Sequence, residues 1–323
     1  MFPTDPHYND TFFPYGIGQL TNAGKRRMFE FGMLLRERYS SQLGSYYNHS
    51  LVMARSTDYE RTKMSLQLVL ASLYPPQKEQ IWNPQLNWQP IPTVYVPRNQ
   101  DSLLNALDCE EFIDEEEKVH HLPEVSSKIE QFRDFMNQLS ELTGKNISKP
   151  INMYRIYHLL ISEAAMNLTL PSWAKEMFPN GILYNGTILA YEIMNYNEQL
   201  KKLNGGRFLY TVMNTMKDIE KNASDENLRV HLYSGHENNV AAVLQALDVY
   251  EPHVPEYSSS VIIEVHELNS ELYIKVLHYR GIPSVFDIKQ VPGCEELCPF
   301  NKFTKLLEGS IPSDNELNCT MNF

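Results

Sequence analysis

Long apolar runs are missing from this sequence: nowhere do about 18 apolar residues follow one another, so no membrane-spanning helix is expected. The opening MFPTDPHYND is polar and lacks the apolar stretch of an export signal. Basic residues are scarce, 28 Lys and Arg against 40 Asp and Glu, and the net charge is -12. That removes the electrostatic basis for holding nucleic acid or an anionic membrane surface, because phosphate backbones are bound by clustered Lys and Arg. Self-repulsion of such a chain is least in acid. No H-E-x-x-H or comparable metal spacing occurs, and neither a metal nor a cofactor is expected. Cysteine is nearly absent as well. Cys109, Cys294, Cys298 and Cys319 are all there is, and Cys294 and Cys298 are too far apart for a redox C-x-x-C and have no matching pair for zinc. Two disulfides is the economical reading of four cysteines; four buried free thiols is the alternative.

What is present begins with size: 323 residues, 42% of them apolar, can bury a full core. Asn-x-Ser/Thr sequons are in excess. Seven occur, at Asn9, Asn48, Asn146, Asn167, Asn185, Asn222 and Asn318, where ordinary composition gives about two or three by chance. They favour the secretory pathway and, with it, disulfides over free thiols. An exported protein without an export signal implies that the natural N-terminus lies upstream of Met1.

The order of elements suggests an α/β fold. GQLTNAGKRRMFEFGMLLRERY reads as a helix capped by Thr21, with Met28, Phe31 and Leu35 on one face. The strand SLVMA follows and runs directly into a second helix. Thr57 and Glu60 form its expected capping box, and Met64, Leu68 and Ala71 its apolar stripe. From about 110 to 225 the pattern turns helical throughout, around 123–143, 150–165 and 187–222, with no convincing strand. LRVHLYS is again a strand, HENNVAAVLQALDV again a helix. SSVIIEVHE and ELYIKVLHY read as an antiparallel hairpin turning at Asn269-Ser270. The expected architecture is a mixed central sheet with helices on both faces, built from residues 1–109 and 226–323, and an all-helical domain, 110–225, inserted between them.

Two strand-to-helix junctions share a chemistry. Arg55 leaves one strand just before a helix, and His236-Glu237 leave another just before a second helix. In α/β sheets ligands gather at the carboxyl ends of strands, where helix N-termini offer free N–H groups to anions. An arginine adds a fork for phosphate, an imidazole adds a donor, and a neighbouring carboxyl can protonate a leaving oxygen. Either junction taken alone is more often a surface arginine or a helix cap. The remaining histidines, His120, His121, His158, His231, His253, His266 and His278, read as surface or packed residues, Trp82, Trp88 and Trp173 as core, and Asp114 to Lys118 as a solvated run.

GIGQLTNAG, ARSTDYERTKMS and YSGHENNVAAVLQAL, in this order and at these separations, resemble three internal blocks of the histidine acid phosphatases, the branch that contains prostatic, lysosomal and insect venom enzymes. The resemblance runs over essentially the whole chain. It implies the histidine-phosphatase fold with a helical insertion, disulfides Cys109–Cys319 and Cys294–Cys298, an acid optimum, secretion or lysosomal delivery, and frequent dimers. The implied substrate is a small phosphate monoester, with inorganic phosphate as product, hydrolysed through a phosphohistidine. Arg55 matches a phosphate-binding arginine and His236 the second active-site histidine. Glu237 stands where the family usually has Asp, the general acid for the departing alcohol, and is one methylene longer. The family's nucleophile belongs to an Arg-His-Gly-x-Arg-x-Pro motif, and the 323 residues contain none. FPTDPHYND resembles the segment after it, which leads us to expect that the chain starts a few residues too late, is inactive as it stands and leaves strand edges unpaired. His7, without Arg or Gly neighbours, is no substitute. The competing expectation is a secreted, catalytically inactive binding protein that keeps Arg55 and His236 as an anion site.

Overall fold

Thr21 opens the first helix, α1 (Asn22–Arg38), by accepting the Gly24 N–H at 3.2 Å, and Arg36 and Arg38 complement the dipole at its end. In the computed structural model, which describes residues 1–221 and 228–321, α1 and a short turn, α2 (Ser40–Leu43), lead into strand β1 (Val52–Ser56) and helix α3 (Glu60–Leu73). Helices α1 and α3 touch closely because Gly32 has no side chain: a Cβ there would stand 2.5 Å from the Val69 carbonyl oxygen. Around this contact Phe31, Leu35, Ala54, Leu66, Val69, Leu70 and Leu73 form one core.

Two local expectations for α3 are corrected. Its N-cap is Tyr59, in extended backbone and without a side-chain cap bond, so Thr57 and Glu60 form no capping box. The buried face is Leu66, Val69, Leu70 and Leu73, while Met64, Leu68 and Ala71 are only half-buried. The buried face is thus roughly the opposite side of the helix from the stripe read off the sequence, and it includes Val69 and Ser72, which meet α1 at Gly32.

The strand β2 (Val94–Tyr95) pairs parallel with β1. Beyond it the described residues of 110–221 are helical with no strand, as expected: α4 (Glu110–His120), α5 (Pro123–Glu130), α6 (Arg133–Thr143), α7 (Pro150–Ala165), α8 (Ala174–Met177), α9 (Ile182–Ile193), α10 (Glu198–Lys201), a π-helical turn at Lys202–Gly206, and α11 (Arg207–Glu220). The stretch read as helical around 187–222 is helical over its described residues apart from an interruption at 194–197. Phe135, Leu139, Met153, Leu160 and Leu183 make one helical core. A second core, with Phe112, Val119, Leu189 and Tyr191, also contains Ala241 from beyond this region.

Strand β3 (Val230–Ser234) pairs parallel with β1 over its full length, Val52 opposite Val230 and Ser56 opposite Ser234. Helix α12 (Glu237–Ala246) follows at once, and Ala241, Ala242, Leu244 and Ala246 on it are fully buried. The hairpin falls as expected: β4 (Ser260–Leu268) and β5 (Glu271–Tyr279) are antiparallel, with Leu268 opposite Glu271. Asn269 and Ser270 both have positive φ, the conformation of a two-residue type I′ turn. Strand β6 (Phe286–Lys289), the two-residue β7 (Cys298–Pro299) and helix α13 (Phe300–Leu306) complete the chain, and both disulfides, Cys109–Cys319 and Cys294–Cys298, are formed.

The fold is α/β, with helices α1 and α3 on one side and α11 and α12 among those on the other. Among the described residues its strands form two sheets, a parallel β2-β1-β3 and an antiparallel set around β5. Strands β3 and β4 each have one partner, and both line a cavity of about 1190 Å³, so no ladder runs between them. Helix α12, which begins at this cavity, is seated by a second close approach: a Cβ on Gly205 would lie 2.2 Å from the Ala242 carbonyl oxygen. Gly→Ala inside a helical segment ordinarily stabilises by about 1 kcal/mol. Gly205→Ala is expected to do the reverse, costing about 1–3 kcal/mol as α12 is pushed off its seat, read as a lower midpoint in urea unfolding.

Candidate functional site

Strands β1 and β3 run side by side and end level, so the turns that follow them lie against each other. The Thr57 N–H donates to the Ser234 carbonyl at 3.0 Å, and the Ser234 hydroxyl donates to the Thr62 carbonyl at 2.9 Å. Thr57, freed from capping, makes its side-chain bonds inside this junction, to the Thr62 hydroxyl at 2.8 Å and His236 Nε2 at 3.2 Å. His236 is the N-cap of α12, and its backbone N–H donates to Asn239 Oδ1 at 2.8 Å; Asn239 in turn donates to the Leu104 carbonyl at 3.0 Å. The imidazole is therefore fixed at both backbone and ring. Tyr59 meets it edge-on at 4.8 Å.

Arg61, the second residue of α3, places Nη2 3.3 Å from His236 Nδ1. A guanidinium can only donate, so Nδ1 accepts, and the neutral ring carries its proton on Nε2, where Thr57 Oγ1 can accept it. Burial, and then the positive charge of Arg61, push the His236 pKa down to about 4. The ring is thus a neutral hydrogen-bond donor over most of the acid range.

Glu237 is the first residue of α12. Its Oε1 accepts from the Tyr154 hydroxyl and lies 3.9 Å from His158 Nε2. Burial raises the proton affinity of the carboxyl, but His158, the Tyr154 hydroxyl and its own backbone N–H outweigh burial and hold it below the usual glutamate range. Burial holds His158 low.

The structure thus brings His236 and Glu237 together on the cavity wall with Arg61, Thr62, Ser234 and His158. It places Arg55 differently. That residue stands at the end of β1 opposite Tyr233, with its guanidinium bound to the fully buried carboxylate of Asp101. Arg61 is the arginine that meets His236. His7 is turned to Asp10 and the Thr169 carbonyl, at 2.8 and 3.0 Å. His158, read from sequence as a packed or surface residue, is part of the cavity wall. The sequence reading also missed Tyr154. The usable signal was their spacing, i and i+4 on α7, which puts both rings on one helix face. Trp82 is not core: it is 57% exposed, with its indole N–H bonded to the Trp88 carbonyl at 2.7 Å. Trp173 does pack, against Phe2. Of the sequons, Asn9, Asn48, Asn146, Asn167, Asn185 and Asn318 are exposed, and Asn222 lies outside the described residues.

Three kinds of comparison bear on this arrangement. The family model described as "Histidine phosphatase superfamily (branch 2)" matches residues 1–279. The chain is 46% identical over 323 residues to the venom acid phosphatase of Apis mellifera, covering 100% of this chain and 83% of that protein. It is 32% identical to human prostatic acid phosphatase over 98% of this chain and 83% of the relative, and 30% identical to the lysosomal acid phosphatase of Xenopus laevis over 98% and 74%. In fold it is similar to the Hafnia alvei phytase solved with tartrate, with a TM-score of 0.70 at 14% identity, covering 97% of this chain and 92% of the other.

The cavity has a second acidic feature at the far end of α7. Glu163, 1% exposed, lies beside Asp5, 5% exposed. Burial first, then the Asp5 charge, raise the Glu163 pKa to about 7. The folded state therefore binds a proton there that the unfolded chain, with a glutamate near 4.3, does not hold between about pH 4.5 and 7. The resulting stability is fully present below that window and is lost as pH rises through it, by on the order of 2–3 kcal/mol. Glu163→Gln is expected to flatten this slope and to raise stability above pH 7, measured by urea unfolding at a series of pH values.

Proposed function

The chain belongs to branch 2 of the histidine phosphatase superfamily, among the acid phosphatases, and from that premise we propose that its cavity binds the phosphoryl group of small phosphate monoesters and protonates the alcohol that leaves. The observation that carries this reading is the pairing of His236 and Glu237 at the start of α12 with Arg61 reaching the same imidazole. A helix N-terminus, a neutral imidazole donor and a guanidinium are suited to an anion. Glu237, next to His236 and partly open to the cavity with 30% of its side chain exposed, supplies a proton on the leaving-group side once a bound phosphoryl anion beside it raises its proton affinity above that of the empty site. Arg55 binds Asp101 through Nη2 at the end of β1 and keeps its Nε, a buried donor without a partner, for an anion there.

In the reaction we propose, a histidine attacks phosphorus, the ester P–O bond breaks, and the alcohol leaves with the proton of Glu237. Water then attacks the phosphohistidine, Glu237 takes a proton back, and inorganic phosphate is released. The attacking histidine of the family belongs to Arg-His-Gly-x-Arg-x-Pro, which these 323 residues do not contain. We therefore assign them the anion-holding and leaving-group side of the reaction and expect them, by themselves, to bind phosphate without turning esters over at an enzymic rate. The same motif count favours the second reading, an exported phosphate-binding protein without catalysis. Export is supported by the two disulfides and by six exposed sequons.

The test is hydrolysis of an aryl phosphate near pH 5 by this chain, beside the same chain preceded by a strand that carries Arg-His-Gly-x-Arg-x-Pro. The longer protein is expected to turn over at least about 10³-fold faster. Both should bind inorganic phosphate in calorimetry, and His236→Ala should weaken that binding about tenfold. Equal rates for the two proteins would place the nucleophile within the 323 residues; phosphate binding without turnover in either would leave the binding-protein reading.

A further inference from the structure

Glu237 is reached from outside its own layer. Tyr154 and His158 project from α7, in the helical region, and meet the carboxyl at the first turn of α12. The contact is ordered from behind. His158 Nε2 lies 3.0 Å from the Tyr191 hydroxyl of α9, the Tyr154 and His158 rings are 4.4 Å apart, and Tyr154 stands edge-on to Tyr191 at 5.3 Å. Tyr191 is fully buried. A glutamate has one more rotatable bond than an aspartate and, untethered, would sample several orientations across the cavity wall. A phenol donating to one carboxylate oxygen selects one of them, and the His158 imidazole stands 3.9 Å from that same oxygen.

We propose that Tyr154 and His158 are positioning residues for Glu237: they hold its carboxyl in one orientation at the cavity wall and govern its exchange of the proton that the departing alcohol needs. This rests on the reading of Glu237 as the proton donor. The groups that face the carboxyl are Tyr154 and His158 from α7, Tyr191 from α9, Tyr257 from the loop before β4, and His236 beside it on the chain. Of these, the Tyr154 hydroxyl makes the direct bond, and such a bond favours the charged carboxylate. Without it, Glu237 takes up its proton at higher pH and its orientation is lost.

Binding of inorganic phosphate to this chain reports on both properties without requiring turnover. An ionised Glu237 repels the anion, so wild type should lose affinity relative to Glu237→Gln as pH rises through the titration of the carboxyl. Calorimetry from about pH 3 to 7 on wild type, Glu237→Gln, Tyr154→Phe and His158→Gln, a range that begins below the ordinary glutamate pKa, separates these effects. Tyr154→Phe is expected to begin that loss about one pH unit higher than wild type, and His158→Gln to shift it the same way by less. Near-UV circular dichroism checks that each variant keeps its packing, and if Tyr154→Phe does not fold, the His158→Gln shift decides. A Tyr154→Phe or His158→Gln profile superimposed on wild type overturns the inference while the function stands. If wild type and Glu237→Gln bind phosphate identically at every pH, the carboxyl does not face the anion, and its role as proton donor falls together with the inference. If wild type binds no phosphate, the proposed function is overturned at its base.

Discussion

The parallel register between β1 and β3 is what the site depends on. Ser56 lies opposite Ser234, and the Thr57 N–H closes on the Ser234 carbonyl. Because the strands end level and each passes straight into a helix, Arg61 on one helix and His236 at the cap of the other meet within hydrogen-bond reach. A slip of one residue would flip each side chain of a strand to the opposite face and part them. The close approaches at Gly32 and Gly205 serve the same end, since they seat the helices that carry these residues.

The helical region contributes to the same junction. Its α7 supplies the groups around Glu237 at one end and Glu163 at the other, and its second core includes Ala241 of α12. The site is thus built from two kinds of layer. The strand-to-helix turns bring His236 and Arg61 together, and a helix from the other region bonds the Glu237 carboxyl. Cys109–Cys319 ties the start of the helical region to the end of the chain, 210 residues away, so the two contributions are fixed together by covalent closure as well as by packing.

Much of this was legible in the sequence, and the parts that were not have physical reasons. Alternating apolar residues around Asn269-Ser270 announce the hairpin, since both the strand period and the turn chemistry are local. Thr21 as a cap is local as well. Thr57 has the same local signature, yet its hydroxyl is claimed by His236, 179 residues away. Arg55 has the local signature of an anion-binding strand end, but its bond to Asp101 is made with a residue 46 positions away, which no local pattern announces. His158 lies in a mostly apolar helix, where a lone histidine ordinarily packs; only the fold shows that it faces a carboxyl from another region. Sequence patterns report on what a residue does for its own element, and they fail where tertiary partners compete for the same side chain.

The charged groups of the cavity favour a common pH range for opposite reasons. Glu163 has a raised folded pKa, so its contribution to stability is lost as pH rises toward and through about 7. His236 has a depressed one, near 4, with the opposite consequence: a histidine buried neutral costs stability as pH falls from about 6.5, where the unfolded side chain charges, toward 4. His278, also held down to about 4 by burial and then by His253, acts in the same direction. Between those limits Glu163 is protonated beside Asp5 while His236 remains a neutral donor next to Arg61. A moderately acidic medium therefore relieves the buried carboxyl repulsion at one end of α7 without charging the imidazole near the other.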